Sequence, residues 1–521
     1  MAEESAPDSK SKLQLLQNLW RRFLVVEIVF FLYVVPSYFH QMALRNFPLE
    51  QACRANLGYN AATCIAILDK DVYGIDCEPL EVQLQNVTTQ GATVEELSVA
   101  ELSGSFNFTV CKAYAETKKI VGGVHRRCDT LVFLFPLIIL LFAGGWADRY
   151  HKCKVVMILP LVGECLYYVS LLIAAVGFER LPFEYGGYLE TIVPAMFGGE
   201  ACLIMSIFTY MTTTTQEKQR VLRLGIFAMF CQAQLYPFVV FGAPSNVLGY
   251  KVSFATGALL QLAAIGYVIV FVKECKPHES VAELQQPSTH EDSWTDINLQ
   301  LKPELESTQV ELPRRNVLRE FFDPSLVVEL AKMPFKRRAN NGRLIVLLLM
   351  LSYILTFGAE DGESRYMDLY SEEKPVWNKN FDNRLYLAVK HASAMLGTFI
   401  GTVIFSKLLK FTDPMLGIWS AVFTLVSRLI FAFAADTSSY YAAGVSDLFS
   451  LFRFIPIKTI AASVIDGEAK LFSLLGIFEP IEAQAFSALY KAVYAATSKT
   501  FAGAVFLLSE LLYLPIVLIF M

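Results

Sequence analysis

Gly144-Gly145-Trp146-Ala147-Asp148-Arg149-Tyr150-His151-Lys152-Cys153-Lys154 joins two apolar windows, at about 128 to 147 and 153 to 177. Glycines inside an apolar run let helices approach closely, and the charges that follow mark where the run leaves the membrane. Asp148 is an acid in a basic connection, able to pair with basic groups or with a neighbouring helix end and to let go when two bodies rock apart. Gly144, Asp148, Arg149 and Lys152 are therefore candidate gating residues. An ordinary basic loop holding one acid is the plain alternative.

Outward from this connection the chain reads as membrane. Of 521 residues 54% are apolar and only 18% charged, and a spanning helix uses about 20 mostly apolar residues. Windows of that length lie at about 23 to 44, 128 to 147, 153 to 177, 187 to 211, 221 to 244 and 250 to 272; six more lie near 343 to 360, 384 to 408, 414 to 435, 440 to 461, 469 to 493 and 500 to 521. The expected fold is an all-α membrane protein of twelve transmembrane helices in two six-helix halves, 23–272 and 343–521. The net charge of −5, with no basic and aromatic stripe, gives nucleic-acid binding no support. There is no GxGxxG, GxxxxGK[ST], HExxH, GxSxG or CxxC, and the six histidines have no ligand spacing. No enzyme, cofactor or metal is expected.

Basic residues in short loops mark the cytosolic side. Arg21 and Arg22 precede the first window, Arg149, Lys152 and Lys154 join the second and third, and Lys218, Arg220 and Arg223 join the fourth and fifth. The 1–22 segment and both termini are then cytosolic. The loop from about 45 to 127 faces outside; it holds the sequons at Asn86 and Asn107 and the disulfide candidates Cys53, Cys64, Cys77 and Cys111, whose pairing stays open. Cys153, Cys165, Cys202, Cys231 and Cys275 read as inert thiols in or beside helices. Glu27, close after Arg22, reads as an interfacial acid.

The cytosolic linker, 273–342, begins with an acidic, proline-punctuated stretch at 276–316 that should be disordered. From Val317, the apolar Leu318, Phe321, Phe322, Leu326, Val327 and Leu330 can share one side of a broken helix before the basic Lys336-Arg337-Arg338. A helix lying on the membrane surface is expected there. Six spans, a long linker and six more is the layout of a two-half transporter with its site between the halves.

The Gly144–Lys154 connection resembles the G-x-x-x-D-R-x-G-R-K signature of the major facilitator superfamily, with His151 in place of the second glycine and Cys153 interrupting the basic pair. A closer resemblance is to solute carrier family 46, the family of the proton-coupled folate transporter. It is carried by Glu27 with Phe30 and Pro36, Leu57-Gly-Tyr-Asn60, Gly145-Trp-Ala-Asp148, Phe357-Gly-Ala-Glu-Asp361, Trp377, Pro456-Ile-Lys458, Leu471-Phe-Ser473, Phe506-Leu-Leu and Pro515. Where the folate transporters of that family have a proton-linked glutamate in span five and histidine in span seven, this chain has Ala228 and Thr356. The family's disulfide from the first loop to the loop after span seven has no counterpart, because no cysteine follows Cys275. The resemblance implies transport without carrying over folate.

Charges at mid-bilayer cost at least about 2.5 to 3.5 kcal/mol and face a cavity or a partner. Glu164, Glu200, Glu360, Asp361, Lys390, His391, Arg428, Arg453, Lys458, Glu479 and Glu482 lie within or near apolar windows, of which Glu200, Glu360, Asp361, Arg428, Arg453 and Lys458 are the pathway candidates, and Tyr33 can line the first span beside Ser37 and Gln41. Lys458, aligned with a basic residue the family uses near its substrate, would with Arg453 and Arg428 draw an organic anion. Glu200 or Asp361 would accept a coupling proton. Inert buried ion pairs are the alternative for each charge. The expected function is secondary-active transport of a small organic solute, anionic and folate-like, by alternating access with protons as partner, in the plasma membrane or, alternatively, the lysosomal membrane. A transporter-like receptor or scaffold and an uncoupled facilitator are the rival readings. Oligomeric state is not legible.

Overall fold

The computed structural model describes residues 24–39, 41–68, 106–241, 249–274, 317–373, 383–450, 452–465, 467–501 and 503–521. The expected disorder at 276–316, Asn86, Cys77 and Trp377 lie outside the described residues.

Where they are described, the twelve apolar windows fall mostly on helix. Seven described helices are long and apolar enough to cross a bilayer, and three shorter apolar helices cover the first, tenth and last windows. The first half comprises α1 (Val25–Phe39), α2 (Gln41–Gln51), α3 (Ala61–Leu68), α4 (Phe106–Tyr150), α5 (Cys153–Val176), α6 (Phe183–Met196), α7 (Gly199–Thr214), α8 (Glu217–Phe241) and α9 (Gly249–Phe271). The linker carries α10 (Val317–Phe321) and α11 (Pro324–Lys332). The second half comprises α12 (Gly342–Glu373), α13 (Asn383–Phe399), α14 (Asp413–Ala432), α15 (Thr437–Ser446), α16 (Phe454–Val464), α17 (Glu468–Phe501) and α18 (Ala504–Phe520). The largest apolar core spans both halves, taking Leu140, Ala143 and Met205 from the first, Leu326 and Leu330 from the linker, and Tyr353, Ile457 and Leu475 from the second.

Two windows are broken, the fourth and the tenth, which occupy the same place in their halves. In the fourth, Gly198 (φ 88°) and Gly199 (φ 54°) take left-handed backbone between α6 and α7. Only glycine does so at no steric cost. In the tenth, α15 ends at Ser446 and α16 starts at Phe454. Paired interruptions in corresponding segments are where transporters of this layout build their sites.

Within the stretch before the second span, the described residues 41–68 and 106–127 are largely helical. The 45-residue α4 begins at Phe106, placing Asn107 in its first turn. A disulfide joins Cys53, in a π-helical turn after α2, to Cys64 in α3. Cys111 is also disulfide-bonded. Cys165, Cys202 and Cys231 keep free thiols, but Cys153 does not: it is disulfide-bonded, against the expectation of an inert thiol.

Candidate functional site

The Gly144–Lys154 connection joins the two halves on the basic face, at the candidate gate. The Asp148 carboxylate accepts from the backbone N–H of Ala469 at 3.1 Å and of Lys470 at 2.9 Å, capping the first turn of α17. That turn presents unpaired amides and the positive end of the helix dipole. Gly144 makes the approach possible: a Cβ there would run into the Ala469 carbonyl and the Ser473 side chain. Ser473 donates to the Leu140 carbonyl across the same seam. Arg220 bridges the halves again, 2.7 Å from Glu468 and 2.9 Å from the Ala462 carbonyl.

The linker clasps this gate. Arg149 donates to Asp323 at 2.9 Å, to the Ser325 hydroxyl at 3.0 Å and to Glu329 at 2.6 Å, and Glu329 accepts from Lys470 of the other half at 2.9 Å. The Ser325 amide and hydroxyl, with Arg149, hold the Asp323 carboxyl below the usual range; Lys470 first, then Arg149, does the same for Glu329. The expected membrane-surface helix is a different object. Leu326 and Leu330 are fully buried, Leu326 against Gly145, and Phe321 and Phe322 lie on Trp146 and Phe142. Protein, not lipid, covers most of the apolar face, although Leu318 stays exposed. Lys152 precedes α5 and takes no part in the clasp among the described contacts.

Between the halves, the two broken spans bring sequence-distant groups together. Glu200, accessible, is the second residue of α7, and Tyr33 donates to Glu164 at 3.2 Å beside it. From the second half, Tyr353 donates to Glu479, and Glu479 lies within electrostatic reach of both Glu200 and Lys458. Lys458, 7% exposed, makes no hydrogen bond or ion pair among the described residues. Its ammonium sits 3.7 Å from the Phe208 ring centroid and 5.8 Å from that of Tyr353, with Phe472 against Phe208 and Phe357 against Phe454 alongside. Sequence reading missed Glu164 and Glu479 as members. Both sat in the windows as isolated acids, and only the helix rotations bring them to Tyr33 and Tyr353.

Arg428 and Arg453 are elsewhere, inside the second half. Arg428 pairs with Glu363 at 2.6 Å and Asp447 at 3.2 Å, and Arg453 with Asp447 at 3.1 Å. Ser509 donates to Glu363 at 2.8 Å and Arg453 to Tyr513. All four charged groups are at most 3% exposed, and two acids balance two guanidiniums. Glu360 lies within electrostatic reach of both arginines, whereas Asp361 acts on Glu482. Glu27 is not interfacial as expected: it is fully buried and paired with Arg223. Burial of either charge alone would cost several kcal/mol, roughly, and the pair removes that cost.

The chain is 22% identical over 395 residues to the lysosomal proton-coupled steroid conjugate and bile acid symporter SLC46A3 of Gallus gallus, covering 73% of this chain and 75% of the relative. To the probable peptidoglycan muropeptide transporter SLC46 of Drosophila melanogaster it is 21% identical over 493 residues, covering 91% and 80%. Among solved structures, the E. coli fucose:proton symporter FucP superposes with a TM-score of 0.57 at 14% identity over 95% of this chain and 97% of that one. The human organic anion transporter MFSD10 does so with 0.57 at 12% identity over 96% and 99%. No family model matches. With two helical halves around paired broken spans, the chain has the fold of the major facilitator superfamily structures it superposes on and is similar in sequence to transporters of solute carrier family 46.

Proposed function

We propose that the protein is a proton-coupled symporter of an amphipathic organic anion, working by alternating access. The observation that carries the reading is Lys458: a buried ammonium without an anionic partner in contact among the described residues, walled by Phe208 of the first half and by Tyr353 and neighbouring rings of the second, within electrostatic reach of Glu479, which in turn reaches Glu200 of the first half. An anion with a hydrophobic ring system meets both the charge and the aromatic walls, which supports a steroid conjugate or bile acid, the solutes in the names of the relatives, over folate. Arg428 and Arg453, each already paired with acids, serve as scaffold. The contacts between the halves at Asp148, Arg220 and Ser473, with the Arg149 clasp to the linker, lie on the basic face, which supports cytosolic termini and an outward-facing state. The relatives named as lysosomal support a lysosomal membrane over the plasma membrane.

The test is uptake of a radiolabelled steroid sulfate into proteoliposomes with acid outside. The wild type accumulates the probe above equilibrium, and Lys458→Ala loses uptake by roughly tenfold or more, the worth of one charge-assisted contact. Flux unchanged by Lys458→Ala overturns the site.

A further inference from the structure

Glu482, one turn beyond Glu479 on α17, is a buried acid without a partner. It is 4% exposed, and neither carboxylate oxygen has a hydrogen-bond partner. It lies about 21 Å along α17 from Glu468, near the middle of the bilayer. The helix face it occupies packs tightly on α12, where Phe486 and Tyr490 rest on the backbone at Gly358 and Gly362. The charged groups acting on Glu482 are the acids Glu479, on its own helix, and Asp361 of α12. The basic groups nearby are otherwise engaged: Arg428 and Arg453 with Glu363 and Asp447, while Lys458 of α16 and Glu200 of α7 act on Glu479. Glu510 of α18 answers to Arg428.

An ionised carboxylate in such a place, with no hydrogen bond and two acids for neighbours, carries a cost that only a bound cation removes. Among the described residues no three acids, histidines or cysteines gather closely enough to hold a metal ion. A proton is the cation that one carboxylate can bind alone.

We infer that Glu482 is the site that binds the coupling proton, exchanging it with Glu479, which faces Lys458 and the solute. One proton from the outer solution neutralises Glu482 in the outward-facing state. Protonation forms the O–H bond of the Glu482 carboxyl; when the proton passes by way of Glu479 toward the cytosol, that bond breaks and the Glu482 carboxylate is restored. Glu479 reaches both Glu482 and Lys458, so proton occupancy and anion occupancy meet at one carboxylate.

The inference rests on the coupled-symport reading, and the experiment separates the two. Wild-type and Glu482→Gln proteins are reconstituted and assayed with a radiolabelled steroid sulfate in two modes, exchange at equal pH and uptake driven by acid outside. The Gln variant, fixed in the neutral form, is expected to exchange within about twofold of wild type yet to lose gradient-driven accumulation, and Glu482→Asp is expected to recover accumulation in part. Accumulation by Glu482→Gln equal to wild type overturns the assignment. A wild type that exchanges but never concentrates the probe overturns the symport reading instead. Infrared spectra cover a variant that loses exchange as well: the wild type shows a buried protonated-carboxyl band that Glu482→Gln removes, and an unchanged band overturns the assignment.

Discussion

Asp148 at the end of α4 accepts a 2.9 Å hydrogen bond from the Lys470 amide, so an acid of the first half caps a helix of the second. The cap exists only while the two halves touch on this face. Its strength is therefore part of what holds the two halves together on this face. Replacing an N-capping acid by alanine costs about 1 kcal/mol, roughly fivefold in an equilibrium. Asp148→Ala should speed amide hydrogen exchange at residues 467–473 by about that factor, with the remainder of α17 unchanged.

The linker clasp is sensitive to strong acid on the face that carries it. Asp323 and Glu329 both have carboxyls held below their ordinary values, by the Ser325 amide and by Lys470 respectively. Groups lowered in the folded state contribute stability above their unfolded values, near 4, and lose it as pH falls through the folded ones. Protection of residues 324–332 against exchange should thus hold at neutral pH and collapse only in acid below about 4. Glu329→Gln, which weakens the contacts to both Arg149 and Lys470, should lower that protection at neutral pH.

The Arg428 network predicts a stability phenotype instead of a transport phenotype. Arg428→Met leaves Glu363 and Asp447 without one of their guanidiniums inside the membrane, a change worth roughly 3 to 5 kcal/mol when one partner of a buried set is removed. The variant should melt at lower temperature in detergent or fail to accumulate, and the double change Arg428→Met with Glu363→Gln should recover part of the loss. Lys458→Ala, which abandons no ion pair, should melt close to wild type.

Close approach between the halves depends on Gly225 as well as Gly144. A Cβ at Gly225 of α8 would collide with the Thr402 side chain in the π-helical continuation of α13. Overpacking costs typically 1 to 3 kcal/mol, roughly, and here it falls on a contact between the two halves. Gly225→Val should keep surface expression while exposing residues 467–473 to exchange; unchanged exchange there would remove Gly225 from the gate.

The membrane class, the helical windows and the basic loops were legible because hydrophobicity and charge are local properties of the chain. The motif around Asp148 was legible too, since its acid lies in a basic connection, and so was the presence of a helix after Val317. What that helix touches was not: an apolar stripe looks the same whether lipid or Gly145 covers it. Cys153 read as an inert thiol because pairing depends on which chain passes nearby. Glu27 read as interfacial because Arg22 is near in sequence, whereas its partner Arg223 comes from another span.

The sequence by itself determined that this chain is a two-half helical membrane protein with charges stranded inside it. Tertiary structure decided which charges answer one another. Arg428, Arg453 and Lys458 are equivalent as isolated letters in apolar windows, yet two are neutralised by Glu363 and Asp447 and the third is left among aromatic rings. The reason is physical: the cost of a buried charge depends on what lies within a few ångströms, and those neighbours are set by helix rotation and packing across spans, not by position along the chain.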